Sequence, residues 1–231
     1  MTNQNHSQKI EIVLKNYYTA LSEEILVTAK SDGDSTLLRR QLFYIRAAKL
    51  EKSLDSDDLR KTFWINIYNA YYLIISKEST DNASIFNLKR IKIARSQLSL
   101  NDIEHGILRK SKFKMGFGYL TNPFYSDFIK TFAVRELDYR IHFALRSISL
   151  EKTTIDHYDS EIIENQLVQI THNFIQSETE FDTKLKLIRT SKFLFSYYRD
   201  FGGMRSVKKL LQASLKKDLK GYTLQFKNTA K

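Results

Sequence analysis

The feature that most constrains this chain is a long run of apolar and aromatic residues at positions 59–76, LRKTFWINIYNAYYLIIS. In a helix built from these residues, apolar side chains fall on nearly every side, which is typical of a helix buried all round. Short polar and acidic residues precede the run at 55–58, where a helix cap and first turn favour them. The sequence therefore predicts a buried central helix around which the other elements pack.

Two amide side chains, Asn66 and Asn69, lie three residues apart in this run and so on neighbouring positions of one helix face. A buried amide needs hydrogen-bond partners, because an unpaired one costs roughly 1–3 kcal/mol. One interpretation is that both amides tie the helix to adjoining backbone. The other is that they line a binding site, and the sequence leaves both open.

The composition indicates one soluble domain without a long linker. A chain of 231 residues with one proline and seven glycines can bury a sizeable core, and we assign residues 10–228 to a single domain and 1–9 to a frayed N-terminus. The absence of cysteine excludes disulfides and thiolate zinc sites. The first residues lack the apolar core of a signal peptide, and no apolar run is long enough to span a membrane. We therefore expect a cytoplasmic protein.

The net charge of +11 is concentrated in two basic stretches, 89–114 and 205–231. Such stretches can meet phosphates, although solvated lysines are the commoner explanation. The second stretch predicts a helix with an apolar stripe on one side and a row of cations on the other, formed by Arg205, Lys208, Lys209 and Lys216. We expect at most weak, non-specific anion binding from it.

Hydrophobic patterning along the chain predicts a helix-rich α+β fold with a small sheet. Residues 91–98 favour a hairpin, and 98–109 a helix. Residues 140–145 alternate as in a buried strand, although a short helix fits them too. We predict a helix over 193–201 closed by Gly202 and Gly203, and a final strand over 222–226.

Four ordered stretches together resemble one family, the domain of unknown function 547. They read FWINIYNAYYL (63–73), LSLNDIEHGILR (98–109), LDYRIHFAL (137–145) and SYYRDFGG (196–203). The segments GFGYLTNPF, SETEFD and GYTLQFKN look like the bacterial branch. The resemblance runs from about residue 50 to 228 and implies a single globular unit, but it implies no reaction.

The chain departs from this family where a cysteine-bearing loop, N-C-G-A-x-S-C-P-P, usually follows the RIHFAL segment. Ser147 and Lys152 replace the two cysteines here, and Thr153 and Thr154 replace the two prolines. If the family's chemistry needs a thiolate, this chain has lost it. A serine hydroxyl titrates far above a thiol and needs a well-placed base to act as a nucleophile.

Glu104, His105 and His142 are the acid/base candidates within these motifs. Each has a structural explanation. Glu104 has the spacing to reach back to the start of its helix, and His105 would then face the surface. His142 lies in an apolar segment, where a backbone or amide partner would satisfy it.

The functional alternative brings Asn66, Asn69, Glu104 and His142 around one cleft, with Ser147 five residues beyond His142. His105 would then contribute to binding. No HxH, HxxxH or HExxH spacing occurs, and neither does a phosphate-binding glycine loop, so we predict no metal site and no cofactor.

These observations support three hypotheses. The first is a non-catalytic or degenerate family member that retains the scaffold for binding a small molecule or a protein in a cleft near His142. The second is a cysteine-free hydrolase or transferase with Ser147 as nucleophile, His142 as base, and Glu104 or Asn66 orienting the base. The third is a weak polyanion-binding protein. We favour the first.

Overall fold

The computed structural model describes residues 15–78, 85–113, 120–149 and 155–227. The frayed N-terminus predicted at 1–9 and the loop replacements Lys152, Thr153 and Thr154 lie outside these ranges.

The described chain forms a helix-rich α+β fold with two small sheets. Its helices are α1 (Tyr17–Lys30), α2 (Thr36–Tyr44), α3 (Ala47–Ser53), α4 (Asp57–Glu78), a π-helix (Asp102–Leu108), α5 (Asp127–Phe132), α6 (Ile141–Ser149), α7 (Ile163–Glu178), α8 (Phe193–Ser196) and α9 (Met204–Leu215). Its strands are β1 (Ile91–Ile93), β2 (Ser96–Leu98), β3 (Glu180–Asp182), β4 (Leu187–Ser191) and β5 (Thr223–Lys227). No helix within the described residues is long and apolar enough to cross a membrane.

The predicted central helix is α4, and its middle is buried all round, as its sequence indicates. Trp64 is completely buried and makes edge-on ring contacts with Phe63, Phe128 and Phe132. The first turn carries Asp57, whose carboxylate accepts hydrogen bonds from the backbone N–H groups of residues 135 and 136. Helices α1 and α6 and the π-helix pack along α4, so α4 organises the core.

The predicted hairpin is confirmed, and its two-residue turn is unusual. β1 and β2 pair antiparallel, and both turn residues, Ala94 and Arg95, have positive φ angles of 49° and 63°. That geometry usually calls for Asn or Gly. Here the end of α2 holds the turn, since the Ala94 and Arg95 N–H groups donate to Leu42 O (2.9 Å) and Phe43 O (3.1 Å).

Residues 140–145 do not form a strand, so the strand prediction for this segment is wrong. Residues 141–145 begin α6, the short helix that the sequence also allowed. Ile141, His142, Phe143, Ala144 and Leu145 are all buried. A segment with no solvent-facing side gives no reliable periodicity, because alternation and helical spacing both need a polar face to be distinguished.

The helix predicted over 193–201 is too long. α8 ends at Ser196, and the chain continues through turns in which the Asp200 N–H donates to Tyr197 O (2.8 Å) and the Gly203 N–H to Tyr198 O (2.8 Å). Gly202 and Gly203 close this segment with positive φ angles, as the sequence predicts. The early end of α8 matters because Tyr197 and Asp200 both belong to the site described below.

The second sheet has the strand order β3-β4-β5, with β3 antiparallel and β5 parallel to β4. Helices α8 and α9 make the crossover between the two parallel strands. The predicted final strand is β5. Among the described strands it forms one edge of the sheet.

Candidate functional site

Seven polar side chains from all four family-like motifs meet inside the protein. α4 provides Tyr68, and α6 provides His142. The π-helix and the residue after it provide three more, and the turns after α8 provide two. We call this set the buried polar cluster: Tyr68, Glu104, His105, Arg109, His142, Tyr197 and Asp200.

The π-helix and its C-terminal end bring Glu104, His105 and Arg109 into the cluster. Its wider turns show in the backbone bonds from the Arg109 N–H to Glu104 O (2.9 Å) and from the Ser111 N–H to Gly106 O (2.8 Å), each spanning five residues. Single π-turns are often found at functional sites. Gly106 is required by packing, because a Cβ there would lie 2.6 Å from Ile129 Cγ2 on α5.

Asp200 joins Arg109 to His142. Its Oδ2 atom accepts from Arg109 Nε at 2.7 Å and from His142 Nε2 at 2.8 Å. The three side chains are between 0 and 2 % exposed. Burial raises the pKa of Asp200, but the hydrogen bonds and charges of His142 and Arg109 outweigh it and hold this pKa below its usual range.

The contact between Arg109 and His105 fixes the protonation of His105. Arg109 Nη1 lies 2.9 Å from His105 Nδ1, and a guanidinium only donates hydrogen bonds, so Nδ1 must accept. His105 is therefore neutral with its proton on Nε2, and the 3.7 Å approach of Nδ1 to Glu104 Oε1 is not an ion pair. The side chain is 2 % exposed, so His105 is a core residue and not the surface histidine that the structural interpretation implied.

Glu104 interacts with two tyrosines instead of capping its helix. Its carboxylate accepts from Tyr197 OH at 3.0 Å and from Tyr68 OH at 3.4 Å. Ser99 and Asp102 form the cap, with Asp102 Oδ2 accepting from the Ser99 N–H at 2.8 Å. Burial raises the pKa of Glu104, but the electrostatic influence of the neighbouring His105, His142 and Arg109 side chains and the hydrogen bond from the Tyr197 hydroxyl together lower it below its usual range. Burial, followed by the Glu104 carboxylate, raises the pKa of Tyr197.

His142 is held on one nitrogen and unpaired on the other. Since a carboxylate accepts, Nε2 carries the proton shared with Asp200, and the ring stacks on Tyr197 with 4.2 Å between centroids. Nδ1 has no hydrogen-bond partner within the described part of the chain. A histidine oriented by a carboxylate with its second nitrogen free can act as a base, but this one is 1 % exposed.

Ser147 lies on α6 with His142 but is not hydrogen-bonded to it. Its hydroxyl donates to Phe143 O, one turn earlier, at 2.6 Å, and the residue is 1 % exposed. Five residues along a helix correspond to a rotation of roughly 140°, so Ser147 and His142 face different directions. The described residues thus bring His142 together with Glu104 and His105, and place Ser147 elsewhere on the helix.

The two amides of α4 behave differently. Asn66 makes a double hydrogen bond with the backbone of Tyr158, accepting from its N–H and donating to its C=O at 2.8 Å each. Asn69 donates weakly to Ala144 O at 3.5 Å, and its Oδ1 has no partner among the described residues. Asn66 lies two residues from Tyr68, roughly 200° around the helix, and so faces away from the cluster.

Among the described residues, one group has metal-ligand geometry, and it is distant in sequence from the cluster. Ligand atoms of Glu23, His157 and Asp159 lie within 4.8 Å of one another. The Lys15 ammonium pairs with Glu23 and lies 2.9 Å from Asp159 Oδ2, so a side-chain cation already offsets part of the charge of the two carboxylates.

Comparison with known proteins identifies the family. The model of a family described as "Protein of unknown function, DUF547" matches residues 52–175, more than half of the chain. The chain belongs to this family. No curated protein and no solved structure matches it.

Five cluster residues, from Tyr68 to His142, lie inside the DUF547 match, whereas Tyr197 and Asp200 lie beyond it. Sequence reasoning missed Tyr68, Arg109, Tyr197 and Asp200 as site residues, although each occurs in one of the four motifs. Arg109 and Asp200 look like solvated charges in the sequence. One signal could have identified them: each is a charged residue in a motif whose other residues are mostly apolar.

Proposed function

We propose that this protein is a non-catalytic member of the DUF547 family that retains the family scaffold for binding. The observation that carries the proposal is the hydrogen bond from the Ser147 hydroxyl to Phe143 O. By the family resemblance described above, Ser147 stands in the place of a cysteine, and its hydroxyl proton is held by its own helix instead of by a base. A serine without a paired base is a poor nucleophile.

The other members of the supposed catalytic set also have internal partners. Glu104 binds two tyrosines, and Asn66 binds the backbone of Tyr158, so neither orients His142 through a direct hydrogen bond. Asp200 takes that role instead. Buried charges that satisfy one another also occur as purely structural networks without a catalytic role.

The test measures catalysis and labelling in the full chain. We expect the natural protein to turn over none of a panel of activated esters, thioesters and amides, and a serine-reactive phosphonate to leave Ser147 unlabelled by mass spectrometry. Ser147→Cys, alone and with Lys152→Cys, restores the family's residue types for comparison. Labelling at Ser147 that is lost in His142→Ala but kept in the control His172→Ala would establish the hydrolase alternative and refute the proposal.

A second candidate function is weak binding of polyanions along α9. Arg205 and Lys209 are exposed on this helix, while Val207 and Leu211 are buried on its opposite side. Such a row gives sequence-independent affinity that falls steeply with salt. Titration with unrelated duplexes and anionic vesicles at increasing salt checks it, and tight binding at physiological salt or preference for one sequence would contradict it.

A further inference from the structure

A groove runs between α9 and β5. It consists of two adjoining depressions with volumes of about 560 and 490 Å³, which share Leu224 and Phe226 as lining residues. Met204 extends the apolar lining on the α9 side, and Phe195 extends it on the α8 side. We call this the α9–β5 groove. Its volume is in the range of ligand sites, but it is open and lies along a strand.

β5 lines this groove as an edge strand, and only alternate residues of it direct their backbone hydrogen-bonding groups away from the sheet. The Thr223 N–H donates to Lys186 O at 2.9 Å, and Lys227 O accepts from the Lys192 N–H at 2.6 Å. In a parallel pair, alternate residues bond the neighbouring strand, so positions 223, 225 and 227 bond β4. The N–H and C=O groups of Leu224 and Phe226 therefore point to the edge, where no described strand pairs with them.

The rim of the groove is cationic. Arg205, Lys208 and Lys209 line it from α9, and Lys192 lines it from the other side. No acidic side chain is among the described residues that line either depression. A second copy of this chain would bring the same cations to the edge, and like charges facing each other disfavour that pairing. The charge selects an anionic occupant.

We propose that the α9–β5 groove binds an extended acidic peptide segment of a partner protein, which adds to β5 as a fourth strand. Main-chain bonds to Leu224 and Phe226 provide affinity, apolar side chains of the peptide cover the lining, and its carboxylates pair with the rim. This inference rests on the binding role proposed above and names its partner class. The two can fail separately, because catalysis at Ser147 and peptide binding at β5 are measured independently.

The decisive probe is a fluorescein-labelled peptide of about seven residues, the length of an ordinary strand, in which Val alternates with Glu. We expect saturable binding by fluorescence anisotropy. Two N-methylated versions of the peptide, each modified at one alternating set of positions, distinguish strand addition from attraction by charge alone. The set that faces β5 should weaken binding roughly tenfold, since it removes edge hydrogen bonds, while the other set should have little effect. Equal affinity of both versions would overturn the proposal.

Charge reversal in the full-length protein tests the rim. Arg205→Glu with Lys209→Glu should weaken peptide binding about tenfold or more. The matched control is Lys49→Glu with Lys52→Glu, which changes the same charge on the exposed surface of α3 and should bind normally. Circular dichroism verifies that both variants fold. Three results would each overturn the peptide assignment. The first is absence of peptide binding, and the second is tighter binding of phosphatidylserine vesicles than of the peptide. The third is a dimer in sedimentation velocity that dissociates when Arg205 and Lys209 are reversed in charge.

Discussion

Asp200 is the residue on which the buried polar cluster depends, because it is the acceptor for both Arg109 and His142. Arg109 is completely buried and always charged. Removing the partner of a buried charge costs about 3–5 kcal/mol, since the remaining charge keeps its desolvation penalty. We therefore expect Asp200→Asn to lower the free energy of unfolding by about that amount in urea titrations.

The control for this prediction is Asp156→Asn, which makes the same chemical change at an exposed position and should alter stability by less than about 0.5 kcal/mol. If Asp200→Asn were as mild as the control, Arg109 would have to be solvated or paired elsewhere.

Asn66 connects two parts of the chain that are far apart in sequence. Its amide satisfies both backbone groups of Tyr158, which is itself buried. Asn66→Ala leaves these two backbone groups without hydrogen-bond partners, and each unpaired group costs about 1–3 kcal/mol. Urea titration should therefore show a large loss of stability. Asn66→Asp should not rescue it, because a carboxylate cannot donate to Tyr158 O. Full stability of either variant would mean that the two hydrogen bonds between Asn66 and Tyr158 do not form.

At the scale of elements, Gly106 determines how the π-helix meets α5. An added Cβ would lie 2.6 Å from Ile129 Cγ2 and 3.2 Å from Tyr125 Cε1. Gly106→Ala should therefore lower stability by about 1–3 kcal/mol through overpacking, although alanine usually favours helices. A second change, Ile129→Ala, removes the Cγ2 atom of that neighbour, so it should cost less stability in the Gly106→Ala protein than in the natural chain. Equal costs of Ile129→Ala in the two proteins would contradict this explanation.

The helix α4 makes a prediction that is independent of function. Trp64 is completely buried among Phe63, Phe128 and Phe132. Trp64→Ala should cost about 3–5 kcal/mol, so the protein should aggregate or melt far below the unchanged chain in a thermal scan. Leu37→Ala, at a position that is 71 % exposed, serves as control. A soluble Trp64→Ala variant with an unchanged melting point would contradict the central placement of α4.

These elements also show how far sequence alone could lead. Long periodic or strongly biased segments, such as α4, the β1–β2 hairpin and β5, could be predicted from local patterning. Segment 140–145 could not, because it is buried on every side and tertiary packing decides between strand and helix. The site was half visible: His142 and Glu104 stand out by residue type. Asp200 and Arg109 become site residues only because α8 ends early and because the wider turns of the π-helix direct Arg109 into the core. The spacing of residues in the sequence predicts neither feature.

At the scale of the whole molecule, the sign of the pH dependence follows from the buried carboxylates. Burial raises the pKa values of Glu104, Asp138 and Asp200, but nearby cations and hydrogen bonds lower each one below its usual range in the folded state. A carboxyl group with a lower pKa in the folded than in the unfolded state contributes stability that is fully present above its unfolded value, about 4. That contribution is lost as the pH falls through the folded value.

We therefore expect the contribution of these carboxylates to the free energy of unfolding to be constant above about pH 5. Below that pH it should fall steadily as they take up protons. Urea titrations at intervals between pH 7 and pH 3 measure the slope. Asp200→Asn removes one contributing carboxylate, so its stability should fall less steeply in acid than that of the unchanged chain, and the difference between the two proteins should shrink as the pH falls. The exposed change Asp156→Asn should leave the slope as it is. The stability difference between Asp200→Asn and the natural chain could instead stay constant down to pH 3. That result would show that protonation of Asp200 does not change stability, and that Arg109 and His142 are held by packing alone.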